Sequence, residues 1–167
     1  MKLLCTAALL LITGAAGAQN LPSQSRMLGA NIKTKRPQDV QYLFPEQVSI
    51  AAGKDAAIEL HFHINRGMHI NSHTPREKWL IATRLIAVET PALKIKSVEF
   101  PAGEDYTLAA MPRDKLSVYT GDFVVQAHLV AKPGQHILQA ALRYQACDAN
   151  SCYPPREAPI AVDVIAK

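Results

Sequence analysis

Ile58-Glu59-Leu60-His61-Phe62-His63-Ile64 decides the fold. Ile58, Leu60, Phe62 and Ile64 alternate with Glu59, His61 and His63, a period of two that gives a strand one face for a core and one for water. The same period returns downstream. Phe123, Val125, Ala127 and Leu129 alternate with Val124, Gln126 and His128, after the turn signal Thr120-Gly121-Asp122 and before Lys132-Pro133-Gly134. A third strand runs from His136 to about Cys147, with Leu138, Ala140, Leu142 and Tyr144 on one side and Gln139, Ala141, Arg143 and Gln145 on the other. Ile160, Val162 and Val164 mark the last strand, and weaker ones fit residues 48–51, 68–71, 93–100 and 116–119. No long helical period competes. About seven or eight short strands joined by Pro and Gly turns predict an all-β chain, an immunoglobulin-like two-sheet antiparallel sandwich.

The N-terminal residues follow another rule. Lys2, the apolar run 3–12 and the small residues Ala16-Gly17-Ala18 predict an export signal over 1–18, cleaved near Ala18 and taking Cys5 with it. Leu3-Leu4 before Cys5 and Thr6 after it do not fit lipid attachment. Residues 19–38, rich in Gln, Asn, Ser, Lys and Pro without a sustained period, read as a flexible lead-in. Residues 39–167 then form one domain, long enough for a core of its own. Beyond the signal no apolar run approaches the roughly 20 residues that span a bilayer, so direct membrane insertion is not expected. Without Lys2 the formal charge of +4 becomes +3, and its basic residues are interspersed with acidic ones, a pattern that gives no reason to expect nucleic acid as a partner.

Tyr144-Gln145-Ala146-Cys147-Asp148-Ala149-Asn150-Ser151-Cys152-Tyr153-Pro154-Pro155 holds the two cysteines that remain. In an exported chain their default state is a disulfide. Asp148, Ala149, Asn150 and Ser151 form turns readily, so the pair is expected to staple the arms of a hairpin. A loop of four residues constrains the unfolded chain by only about 2 kcal/mol, which makes it a weak stability device. Cys147 shares the parity of Ala141, Arg143 and Gln145, so an unbroken strand would turn its sulfur outward. On spacing alone an inert hairpin disulfide and a reactive pair both remain open.

Tyr-Gln-Ala-Cys, a short loop and Cys-Tyr-Pro-Pro together resemble the N-terminal periplasmic domain of the thiol:disulfide interchange protein DsbD. Further matches follow in the same order: Gly67-Met68-His69-Ile70-Asn71 with Thr74-Pro75, then Val98-Glu99-Phe100-Pro101, then Val118-Tyr119-Thr120-Gly121-Asp122-Phe123. The resemblance covers about residues 40–165. It implies a periplasmic electron relay without a cofactor, in which Cys147 and Cys152 cycle between dithiol and disulfide. A membrane-embedded thiol reductase would be the donor and periplasmic thioredoxin-fold proteins the partners, with cytochrome c biogenesis among the processes served. Cys152 would exchange with partner disulfides and Cys147 would resolve the mixed disulfide. Tyr144, Gln145, Tyr153 and Pro154, with His69, Asn71 and Tyr119 from the other matching stretches, would frame the site. The chain has four residues between the cysteines where the family domain has five. Its stretch matching the family's aromatic cap loop, residues 106–112, offers Tyr106, Leu108 and Met111 without a phenylalanine. The transmembrane and thioredoxin-like domains of the family's full-length proteins do not follow, so a separate membrane donor is implied.

The residues themselves temper the chemistry. Cysteines on strands lack the helix N-terminus that lowers a thiol pKa, and Asp148 raises it further, so the thiol is expected to be sluggish with small thiols and dependent on an activated partner cysteine. A rival reading rests on His61, His63, His69 and His73, whose imidazoles, with Met68 adjacent, would form a copper or zinc site if they converged. Ser117, Asp122 and His128 make no hydrolase, because no nucleophile elbow presents the serine. Trp79 is expected in the core with Leu80, Ile81 and Leu85, and Glu104, Asp105 and Asp114 on loops.

Overall fold

A computed structural model describes residues 37–43, 47–108 and 111–167. The export signal expected over 1–18, and the lead-in as far as residue 36, lie outside the described residues. Twelve strands follow in order: β1 (Val40–Leu43), β2 (Gln47–Ile50), β3 (Ala56–Ile64), β4 (His69–Asn71), β5 (Arg84–Ala87), β6 (Leu93–Glu99), β7 (Glu104–Leu108), β8 (Met111–Tyr119), β9 (Asp122–Ala131), β10 (Gly134–Tyr144), β11 (Ala146–Cys147) and β12 (Arg156–Ala166).

The alternation read from the sequence sets the core. Ile58, Leu60, Phe62 and Ile64 of β3 and Phe123, Val125, Ala127 and Leu129 of β9 are all buried. They belong to one sheet, ordered β1-β3-β9-β6. Leu138, Leu142 and Tyr144 of β10 and Ile160, Val162 and Val164 of β12 are buried on a second sheet, ordered β2-β12-β10-β5. The apolar faces of both sheets join in one cluster, which makes the domain an immunoglobulin-like sandwich. Phe62 stacks on Phe123 across the β3–β9 ladder, with ring centroids 5.2 Å apart. One pairing departs from the antiparallel expectation: β2 runs parallel to β12, from Gln47 opposite Asp163 to Ile50 opposite Ala166. Pro159 is tolerated in β12 because β2 pairs only with the far end of that strand, so that among the described residues the side away from β10 carries no ladder at that point.

A third sheet, ordered β11-β4-β8-β7, grows from the same strands. β3 passes into β4 through a turn closed by the Met68 amide on the Asn65 carbonyl at 3.0 Å, and Gly67 takes φ +82° there. β8 passes into β9 through Gly121 at φ +55°. β10 passes into β11 across Gln145, where the chain leaves the second sheet to pair with β4. Leu80, Leu116 and Val118 form a smaller core beneath this sheet, with Tyr106 and Leu108 packed on it.

Three sequence expectations are corrected here. Strands β1, β5 and β7 were not anticipated, because four or five residues carry too few alternations to show a period. Trp79 is 73% exposed, since its neighbour Leu80 takes the inward position against Leu116 and Val118. Glu104 and Asp105 lie in β7 and Asp114 in β8 rather than on loops; Asp105 there binds Arg76 and, at 3.0 Å, Lys115. β7 is an edge strand whose outer face meets water, so acids are admitted.

Leu60 is fully buried between the sheets, whereas Ile137 is 56% exposed. Leu60→Ala is expected to lower unfolding free energy by about 2–5 kcal/mol. Ile137→Ala should stay within about 0.5 kcal/mol of the parent. Urea denaturation with a common slope reads both.

Candidate functional site

The cysteine pair sits where the chain turns from β11 towards β12. Cys147 and Cys152 are joined by a disulfide and oppose each other as an antiparallel bridge, with Cα atoms 4.0 Å apart. The expected hairpin is therefore present. The Asp148 amide donates to the Ser151 carbonyl at 2.9 Å, and the Tyr153 amide to the Ala146 carbonyl at 2.9 Å. Asp148 organises the turn: its Oδ1 accepts the amides of Asn150 and Ser151 at 2.7 and 2.8 Å, and its Oδ2 accepts the Tyr153 hydroxyl. Asp148 was expected among the turn formers and as a charge near the thiols; that its carboxylate organises the turn as an Asx motif adds to that expectation.

The two sulfurs live in different surroundings. Cys147 is 2% exposed, and Cys152 is exposed. This corrects the expectation that Cys147 faces outward, which held only for an unbroken strand. The break at Gln145 resets the parity, and pairing with β4 turns Cys147 inward.

Gln145 bridges the hairpin to β4. Its Nε2 donates to the Tyr153 carbonyl at 3.2 Å, and its Oε1 accepts Asn71 Nδ2 at 3.3 Å. Asn71 Nδ2 also donates to the Ile81 carbonyl at 3.0 Å, and Thr83 Oγ1 donates to the Asn71 carbonyl at 2.5 Å. Tyr119 pairs across from Ile70, while its hydroxyl donates to the Pro101 carbonyl at 2.9 Å and accepts the His73 amide at 3.1 Å. Burial pushes the Tyr119 pKa up. Tyr153 is half-buried and Pro154 exposed beside Cys152. Tyr144 is fully buried in the main core, where desolvation and, secondarily, the Asp39 carboxylate raise its pKa.

His69 stands directly across the ladder from Cys147. It is 1% exposed, its ring lies 4.2 Å from that of Tyr106 on β7, and neither ring nitrogen has a hydrogen-bond partner. Desolvation pulls its pKa down against an opposing upward pull from Asp148. Tyr106 was expected in the cap stretch, but its contact with His69 was not, because no local spacing links β4 to β7. It puts the one aromatic of the expected cap stretch over His69, and Leu108 packs into the small core nearby.

The four histidines of the metal reading do not gather. His61 pairs with Glu59 at 3.1 Å and His63 with Asp122 at 2.6 Å. His73 stacks on Phe100 at 4.3 Å and reaches the Thr83 carbonyl at 3.1 Å. Among the described residues no group of three His, Cys, Asp or Glu side chains is placed to hold a metal. No described helix is long and apolar enough to cross a membrane.

The family model described as "Thiol:disulfide interchange protein DsbD, N-terminal" matches residues 39–163. Among solved structures, the chain is similar to the N-terminal domain of DsbD from Neisseria meningitidis in its reduced form, at 20% identity and TM-score 0.43, over 66% of this chain and 79% of that one. It is also similar to the N-terminal periplasmic domain of ScsB from Proteus mirabilis, at 13% identity and TM-score 0.51, over 74% of this chain and 44% of that one. The second likeness supports the fold. A comparison with curated proteins finds no match.

Two outcomes follow from the site. Asp148→Ala removes the acceptor of three donors and should cost the oxidised protein about 1–2 kcal/mol, the loss typical of a capping side chain, read by urea unfolding. A buried histidine with a depressed pKa takes up fewer protons than its unfolded counterpart, so stability falls as pH drops below the unfolded value of about 6.5 and is insensitive to this group above it. Unfolding midpoints taken between about pH 5 and pH 8 should fall on the acid side, and less so in His69→Phe.

Proposed function

The chain belongs to the family of the N-terminal domain of thiol:disulfide interchange protein DsbD, and from that premise we propose that it is a periplasmic electron relay working through Cys147 and Cys152. The observation that supports this most is the asymmetry of the pair. An exposed Cys152 is open to a partner thiolate, while a buried Cys147 is kept for the internal step. A donor thiolate of a membrane-embedded reductase forms a bond to Cys152 Sγ, and Cys147 Sγ leaves with the electron pair and takes a proton. The donor's second thiol then displaces Cys152, leaving a dithiol here and a disulfide there. In the outward direction Cys152 attacks the disulfide of a periplasmic thioredoxin-fold protein, and Cys147 attacks Cys152 Sγ to release the reduced partner.

The strand setting explains selectivity. Among the described residues no helix N-terminus lies behind either sulfur, so neither gains that activation, and Asp148 opposes ionisation nearby. Exchange with small thiols is slow, and rate comes from a partner that brings its own activated cysteine to the exposed sulfur. Gln145, Tyr153 and Pro154 form the surroundings such a partner meets. His69, Asn71, Tyr119 and Tyr144 hold the hairpin from the sheet and the core.

Cys147→Ala should accumulate mixed disulfides with thioredoxin-fold partners, and Cys152→Ala should form none; equal trapping by both overturns the assignment of roles. Equilibration with thiol buffers should place the pair near about −200 mV, within reach of periplasmic exchange. A value below about −300 mV would mark a resistant structural bond and overturn the relay.

A further inference from the structure

The opening of the disulfide poses a problem that the exposed cysteine does not. When a thiolate attacks Cys152, the charge appears on Cys147, which is 2% exposed. An anion released away from water is costly unless a donor meets it. Asp148, the neighbouring residue, carries the wrong sign, and its oxygens already accept the Asn150 and Ser151 amides and the Tyr153 hydroxyl. Across the ladder, directly opposed residues of an antiparallel pair hold their Cβ atoms about 5 Å apart on the same face. The residue opposite Cys147 is His69.

His69 is itself anomalous. Buried polar atoms in folded proteins are nearly always hydrogen-bonded, yet both its ring nitrogens are without a partner, and so is Asn71 Oδ1 on the same strand. Leaving such groups unsatisfied is costly. Tyr106 from β7 holds the imidazole from one side. Tyr119 of β8 is committed elsewhere, to Pro101 and His73. Among the described residues, the charged and titratable groups set against the ring are Cys147 and Asp148 from the hairpin and Tyr106 from β7.

We propose that His69 is the acid–base partner of Cys147, donating a hydrogen bond to its sulfur and sharing a proton with it when the bond to Cys152 opens. The inference rests on the relay reading and deepens it. A partner dithiol supplies both electrons and both protons. Its first thiolate forms the bond to Cys152 Sγ, Cys147 Sγ departs with the bonding pair, and the proton that the donor thiol gave up returns to Cys147 by way of the imidazole. In the oxidised state the sulfur carries no charge and the ring is left unpaired; in the reduced state the two satisfy each other. Burial disfavours a lasting charge on the ring, and the Asp148 carboxylate offsets part of that, so the imidazole can hold the proton in passing.

The test is an NMR titration of the His69 imidazole in the wild-type chain, oxidised and then reduced with dithiothreitol. The midpoint should rise on reduction; an identical midpoint in the two states overturns the proposal. His69→Phe keeps a ring against Tyr106 and deletes both nitrogens. Reduction by dithiothreitol should slow about tenfold, as expected for loss of a hydrogen bond to a charged group, and His69→Gln, which retains a donor, should recover part of the rate. A wild-type rate and pH profile in His69→Phe also overturns it. Because a small dithiol drives these measurements, failure of the relay reading, seen as no mixed disulfide with any thioredoxin-fold protein, is read separately.

Discussion

The pairing of two residues, Ala146 and Cys147, with Ile70 and His69 is the constraint on which the site depends. Without it the third strand would continue along the second sheet and carry its cysteine into solvent. With it the chain crosses from the sandwich to the small end sheet, Cys147 turns inward, and the return arm is left outside. The disulfide is then a joint between a rigid layer and an exposed turn. Its two sulfurs differ in access although they differ by only five positions in sequence. The difference in access arises from backbone pairing rather than from a charged neighbour.

The end sheet is held by contacts of modest individual strength. Gln145 and Asn71 connect hairpin to strand, Thr83 fixes Asn71, and Arg76 and Lys115 share Asp105 on the edge. Exposed ion pairs of this kind contribute little. What makes the arrangement definite is the turn, where one carboxylate organises three donors, and the close approach of Gly103. A Cβ there would lie 2.2 Å from Ser117 Oγ, so only glycine lets the chain run against β8 before β7 begins.

How much of this was written in the chain depends on the length of each signal. β3, β9, β10 and β12 span nine to eleven residues, and alternation over that length shows which side is buried. The cysteine hairpin was legible too, because its turn residues are local. The inward turn of Cys147 was not: it depends on one irregular residue, Gln145, and on a partner, His69, 78 positions away. Nor was the Tyr106–His69 contact, which joins edge and interior through tertiary packing alone. The histidine reading failed for a related reason. Shared parity on one strand puts His61 and His63 on one face, but each finds a carboxylate, while the turn at Gly67 carries His69 into a different sheet.

The β10–β12 ladder runs unbroken from Gly134 opposite Ala166 to Tyr144 opposite Arg156. At about 3.3 Å per residue its eleven pairs separate the two ends by roughly 30 Å. Lys167, tied by its amide to Ile50, emerges at the end remote from the disulfide. A surface, a tag or a second protein coupled through that residue would therefore hold the domain by its tail and leave the cysteine hairpin facing outward, unobstructed by its own tether.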